Sequence, residues 1–196
     1  MQRLVLASKS ASRTAMLDAA EIPYDCAPAD IDERALEREM DGADASEIAQ
    51  ALAAAKAAAV STGQGEAWVL GSDSLVEVSG QRFDKPESRE QAAEHLRFFS
   101  GKTMHLHSAA ALARDGAIDW VEPSLAALHV RELSEDFITR YLDAEWPEIG
   151  HCAGAFRIEA MGVQLFDRII GDQFTVLGMP LLAVLGALRT RGVIET

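Results

Sequence analysis

Residues 68–86, W-V-L-G-S-D-S-L-V-E-V-S-G-Q-R-F-D-K-P, narrow the architectures open to this chain more than any other stretch. Trp68, Val69 and Leu70 make an apolar run long enough for one buried strand. Gly71 and Ser72 read as its end, with Asp73 at its tip. Leu75, Val76 and Val78 begin a second strand, and Ser79-Gly80 turns the chain back. Lys85, fixed ahead of Pro86, then returns on the next hairpin arm. Ligands of open α/β sheets bind outside the carboxyl ends of the strands. The pattern therefore assigns Asp73 to a water or a metal and Lys85 to a phosphate. A surface Asp in a turn and a solvated Lys would meet the same pattern, because turns favour Asp for local reasons.

Length and charge narrow the partners. A chain of 196 residues is one large domain or two small lobes. Its 31 Asp and Glu outnumber 18 Lys and Arg, for a net charge of −13. Such a surface repels nucleic acid and anionic membranes. A phosphate ligand would need the few cations gathered in one place. Cys26 and Cys152 are too few for a disulfide scaffold, which points to a reducing compartment. No apolar run reaches the ~18 residues of a membrane helix. The first residues, M-Q-R-L-V-L-A-S-K-S, carry too short an apolar part for a signal peptide. The expectation is a cytoplasmic protein without nucleic-acid or membrane partners.

Leu4 to Ala7 read as a first buried strand, followed by Ser8-Lys9-Ser10-Ala11-Ser12-Arg13 and a helix through Met16 and Leu17. Backbone N–H groups at a helix start, joined by Ser8, Ser10, Ser12 and Arg13, suit an oxyanion. Simple capping by Ser10 or Ser12 explains the serines equally. Ile22 to Cys26 suggest a short strand, with Cys26 as a small buried hydrophobe. Asp30-Ile31-Asp32-Glu33 is an acidic turn, either a solvated loop or a divalent-metal site with Glu33 as the ligand. The Ala-rich stretch 43–61 predicts a helix capped by Ser46. Lys56 is its only cation, and small neighbours would let that side chain run along the helix toward a site.

Farther on, Ser88 caps a helix from Arg89 to Phe99. A strand through Leu106 and Ala110 ends at the turn Arg114-Asp115-Gly116. One or two strands follow, broken near Pro123, and Ser134 caps another helix. Residues 156–166 read as extended, with Arg157 and Glu159 sharing a face. Phe174 to Leu177 read as a strand before a last helix, Leu181 to Arg191.

Five segments occur in a telling order: L-A-S-K-S-A-S-R, G-S-D-S with its later D-K-P, F-S-G-K-T-M-H, H-C-A-G-A-F-R-I-E and I-G-D-Q-F-T-V-L-G-M-P-L. Together they closely resemble the Maf family of nucleoside triphosphate pyrophosphatases, from Leu4 to Leu188. The resemblance implies a single α/β domain over 1–196 of the Maf and inosine-triphosphatase type: a mixed twisted sheet flanked by helices, with two lobes around a central cleft. It also implies a homodimer and a divalent cation, magnesium with manganese as alternative. The implied reaction cleaves a nucleoside triphosphate to a monophosphate and pyrophosphate. Carried over by position, the catalytic acid falls on Asp73 and the metal ligands on Glu33 and Asp73. The phosphate-gripping set falls on Ser8, Ser10, Arg13, Lys56 and Lys85.

The stretch from His151 to Gly171 is similar to the branch acting on 7-methyl-GTP. The branch acting on thymidine and uridine triphosphates has Asp-Lys in place of His151-Cys152 and Gln in place of Glu159. An ionised Glu only accepts hydrogen bonds. Guanine offers the adjacent donors N1–H and N2–H, and N7 methylation adds positive charge. Ala11, Ser12 and Ser74 depart from the family pattern, and the small Ser12 and Ser74 widen the expected base pocket. The alternatives are a dTTP/UTP or other noncanonical-nucleotide pyrophosphatase, and a nucleotide-sensing module of cell division that binds without turnover.

Overall fold

In this computed structural model, which describes residues 2–195, short apolar runs become strands wherever Gly or polar turns bound them, and Ser or Asp caps open most helices. In chain order the elements are β1 (Leu4–Leu6), α1 (Ala11–Ala19), β2 (Asp25–Cys26), α2 (Glu33–Glu39), α3 (Ala45–Ser61), β3 (Trp68–Val78), β4 (Gln81–Phe83) and α4 (Arg89–Phe99). Then come β5 (Thr103–Arg114), β6 (Ala117–Val130), α5 (Glu135–Glu145), 3-10 turns at Glu148–His151 and Met161–Leu165, β7 (Phe166–Ile170), α6 (Gln173–Val176) and α7 (Leu181–Thr190). The strands form a seven-stranded sheet in the order β2-β1-β3-β5-β6-β7, with β4 beside β3. β1 pairs in parallel with β2 and β3, whereas β3–β4 and β6–β7 are antiparallel. The expected mixed α/β sheet with flanking helices is therefore the observed one. Among the described residues no helix is long and apolar enough to cross a membrane.

The chain divides into two compact units. The first comprises the chain up to Ser74, His107–Ser124 and the chain from Asp172 on; the second comprises Leu75–Leu106 and Leu125–Gly171.

In the first unit β1 is buried on both faces. Leu4 and Leu6 pack with Leu17, Leu70 and Leu188, and Val5 and Ala7 pack with Val69 and, partly buried, Val60 of α3. A strand covered on both sides carries a continuous apolar run rather than an alternating one. Gly71 brings α3 and β3 together: a Cβ there would lie 2.2 Å from Ala53 O and 2.7 Å from Ala57 N. No other residue permits that approach.

The second unit is built on aromatic packing. Phe83 meets Phe98 and Phe99 at ring-centroid distances of 5.1 and 4.8 Å. Tyr141 is fully buried, and its hydroxyl donates to Ala155 O at 3.1 Å. Arg97 on α4 bonds both carboxylate oxygens of Glu135 on α5, at 2.8 Å each.

Several local expectations are corrected. Gly71-Ser72 does not end a strand: β3 runs unbroken from Trp68 to Val78, so Asp73 lies inside it and not at a tip. The α3 cap is Asp44, not Ser46, in a reciprocal capping box with Glu47. Glu33 does not lie in a loop; it opens α2, whose cap is Asp32. Cys26 is exposed, not buried, on a strand of only two residues. β6 is not broken at Pro123, because the β7 register covers only 127–130 of β6 and leaves Pro123 where no β7 acceptor awaits its missing N–H. Residues 173–176 are helical, since Asp172 accepts the Thr175 N–H at 3.0 Å and caps a turn despite the β-prone sequence. Residues 161–165 form a 3-10 turn instead of extended chain.

Candidate active site

In the first unit, the connection from β1 to α1 folds onto itself through Ser8. Its buried hydroxyl accepts from Ser10 N at 3.1 Å and from Arg13 Nη1 at 3.2 Å. Ser10 caps α1, accepting the Arg13 N–H at 3.5 Å. Arg13 also donates from Nε to Gly178 O at 3.0 Å. With Nε and Nη1 both engaged, the plane of the guanidinium is fixed. Ser72 donates to the same Gly178 carbonyl at 3.1 Å, which ties β3 to the turn ahead of α7. Gly178 has φ +98°, a conformation that favours glycine.

Opposite charges meet on Lys56. The close seating of α3 on Gly71 carries this side chain to β3, where Nζ lies 2.5 Å from Asp73 Oδ1 and 3.0 Å from Glu33 Oε1. The Lys56 and Asp73 side chains are only 12% and 10% exposed, and Glu33 is half open to solvent at 47%. Burial lowers the Arg13 pKa from its ordinary value, and the charges of Asp73 and Glu33 oppose that fall. An arginine stays cationic under such a shift. Two cations and two carboxylates from α1, α2, α3 and β3 thus influence one another directly. Asp73 and Glu145 are the only buried carboxylates among the described residues.

A pair of carboxylate oxygens already bracketing an ammonium is a donor set that also suits a hard divalent cation. Magnesium uses one or two carboxylates and fills its other positions with phosphate oxygens and water. Among the described residues no three His, Cys, Asp or Glu side chains converge into a complete cage. Glu33 and Asp73 fit an ion that is shared with an anionic ligand.

Ser12 is half-buried in the first turn of α1. Ser74 Oγ lies 2.8 Å from Ser108 Oγ, which donates its one proton to Thr175 O at 2.9 Å. Ser74 must therefore be the donor to Ser108, and it keeps only acceptor capacity for anything else. Separately, Thr175 Oγ1 bonds Ser124 Oγ at 2.7 Å and Asp172 Oδ2 at 2.5 Å.

Lys85 and Glu159 belong to the second unit, and both are exposed. They share a neighbourhood there. Burial pushes the Cys152 thiol pKa up, Glu159 adds to the push, and Arg157 and Lys85 oppose it. His151 is exposed beside them.

Sequence reasoning gave Ser108, Gly178 and Glu145 no role and read Gly71 and Ser72 only as a strand end. For Gly71 a signal was present, since an isolated Gly within a strand pattern marks close backbone approach. The others act through partners distant in sequence and carry no local signature.

Residues 3–191 match the family described as Maf-like protein. A nucleoside triphosphate pyrophosphatase of Nitrobacter hamburgensis is 44% identical over 192 residues, covering 98% of this chain and 95% of that protein. A 7-methyl-GTP pyrophosphatase of Rhizobium etli is 43% identical, and one of Brucella suis biovar 1 is 44% identical; each alignment covers 98% of both chains. Matched over nearly its whole length, this chain belongs to the Maf family.

Proposed function

We propose that the chain is a hydrolase of acid anhydrides, a nucleoside triphosphate pyrophosphatase that cleaves between the α and β phosphates. The observation that carries this reading is the meeting of Arg13, Lys56, Asp73 and Glu33 in a protein of otherwise strongly acidic surface. Its family membership and the names of its relatives support the same reading.

A triphosphate carries about four negative charges, and catalysis of its cleavage is largely charge neutralisation and alignment. Arg13, held by Ser8 and Gly178, offers a fixed fork, and the Ser10-capped start of α1 offers N–H groups and a hydroxyl. An incoming phosphate competes with Asp73 and Glu33 for the Lys56 ammonium. The released Asp73 carboxylate takes a proton from water as the water oxygen bonds the α-phosphorus. The bond from that phosphorus to the bridging oxygen breaks, giving a monophosphate and pyrophosphate. Magnesium held by Glu33 and Asp73, or manganese on the same oxygens, would supply charge neutralisation of the phosphates and a more acidic water.

For the base we infer 7-methyl-GTP. Glu159 is an exposed carboxylate that only accepts, which suits the adjacent N1–H and N2–H donors of guanine. The Rhizobium and Brucella relatives that bear this substrate's name support the choice.

A pyrophosphate-release screen over standard, methylated and oxidised nucleoside triphosphates, with and without magnesium, tests both levels. Magnesium-dependent release with 7-methyl-GTP ranked first is expected. Release ranked first on UTP or dTTP would overturn the base assignment. Binding of triphosphates without any release would favour a nucleotide sensor instead.

A further inference from the structure

Glu145, the last residue of α5, is buried at 6% exposure. Its Oε2 accepts from Arg157 Nε at 3.0 Å and Nη2 at 2.9 Å, and its Oε1 accepts from Met161 N at 3.2 Å. Those bonds hold the chain on both sides of Glu159. The segment between them is closed on itself. Ala160 N donates to Arg157 O at 3.2 Å. Gly162 lies so close to the Arg157 backbone that a Cβ would come within 2.4 Å of its carbonyl oxygen. Glu159 stands exposed on this closed loop.

Burying a carboxylate is costly unless its acceptor capacity is used, and here N–H groups reach it from two directions. We propose that Glu145 is a positioning residue: by clamping residues 157–161 it presents Glu159 to the base in one orientation and so sets base selectivity. The proposal rests on the reading of Glu159 as the acceptor for the base.

Glutamine in place of Glu145 has nearly the same shape but only one accepting oxygen. Whichever way it turns, its amide N–H faces Arg157 or Met161, donor against donor. The hydrogen bonds this change alters run to Arg157 and Met161, not to Asp73, Lys56, Glu33 or Arg13.

The test measures pyrophosphate release from 7-methyl-GTP and from UTP by wild type, Glu145→Gln, Glu159→Gln and the double variant. Glu145→Gln is expected to raise KM for 7-methyl-GTP about tenfold, with KM for UTP and both kcat values changed less than about twofold. In the Glu159→Gln background the same change should leave the ratio of the two substrates' kcat/KM unaltered, because residues acting as one unit are not additive. Equal losses on both substrates, or effects that multiply in the double variant, would reduce Glu145 to a structural role and overturn the proposal. A collapsed ratio in Glu159→Gln with an intact one in Glu145→Gln overturns the clamp alone. An unchanged ratio in Glu159→Gln removes the base reading and the clamp with it. A thermal melt checks folding. Should Glu145→Gln not fold, Arg157→Lys keeps the charge, loses the two-pronged grip, and is read on the same scale.

Discussion

Asp73 and Glu145 are both carboxylates withdrawn from water, and they are held in opposite ways. Asp73 shares the ammonium of Lys56 with Glu33, a residue half open to solvent, and its partners sit on helices other than its own strand. Glu145 is gripped by a two-pronged arginine and a backbone N–H on one closed loop. The first arrangement is a set of charges that a competing anion can redistribute. The second is a fastening made by three N–H donors. Burial alone does not separate the two carboxylates; in the proposed reading, what sets Asp73 apart is that a ligand phosphate can draw off its cation.

Replacing these residues in turn is the sharpest way to break this contrast. Asp73→Asn should cut kcat/KM for pyrophosphate release about 10³-fold. The melting temperature should stay near wild type, since Glu33 still accepts from Lys56. A variant retaining wild-type turnover would make Asp73 a second fastening like Glu145. Gly71→Ala comes next: its Cβ would collide with the Ala53 carbonyl and the Ala57 N–H, pushing α3 and Lys56 away from Asp73. Denaturant unfolding should show a loss of about 3 kcal/mol, with turnover falling alongside it.

Glu145→Ala should reverse the Asp73 pattern, lowering the melting point more than Asp73→Ala does while sparing kcat. A smaller change is expected for Ser10→Ala, which removes the α1 cap and costs about 1 kcal/mol of stability. KM for the triphosphate should rise with it if that helix start grips phosphate.

The mildest effect is one of pH. His95 packs edge-on to Phe83 at 5.1 Å, and burial lowers its pKa, with Glu94 and Asp84 opposing. With a depressed folded-state pKa, the unfolded chain binds a proton that the folded one refuses as pH falls below about 6.5. Stability is then lost on acidification through that window and regained on raising the pH. His95→Phe should flatten the part of the acid limb that belongs to this residue, as read from melts between pH 5 and pH 7.

What the sequence made legible follows the range of the forces involved. Patterns local to the chain read well: the strand at Leu4–Leu6, the Ser88 and Ser134 caps, and the helices at Arg89–Phe99 and Glu135–Glu145. Where tertiary contact overrides local chemistry the reading slipped. Gly71 reads as a stop, yet it is the seat of a helix within an unbroken strand. The Phe174-Thr175-Val176 run reads as a strand until Asp172 caps it into a turn. For the candidate site, the residue types were visible and the pairings were not. That Lys56 joins Asp73 to Glu33 depends on how α3 seats on β3, and no spacing in the chain encodes that. Glu145 ends a helix as an ordinary acid, and only its distant partners reveal that it is buried.

In the proposed reaction the group around Asp73 directs water to the α-phosphorus. Hydrolysis of 7-methyl-GTP in water enriched in oxygen-18, followed by mass spectrometry of both products, addresses it most directly. One labelled oxygen is expected in the nucleoside monophosphate and none in the pyrophosphate. Label in the pyrophosphate, or release of inorganic phosphate in its place, would contradict it.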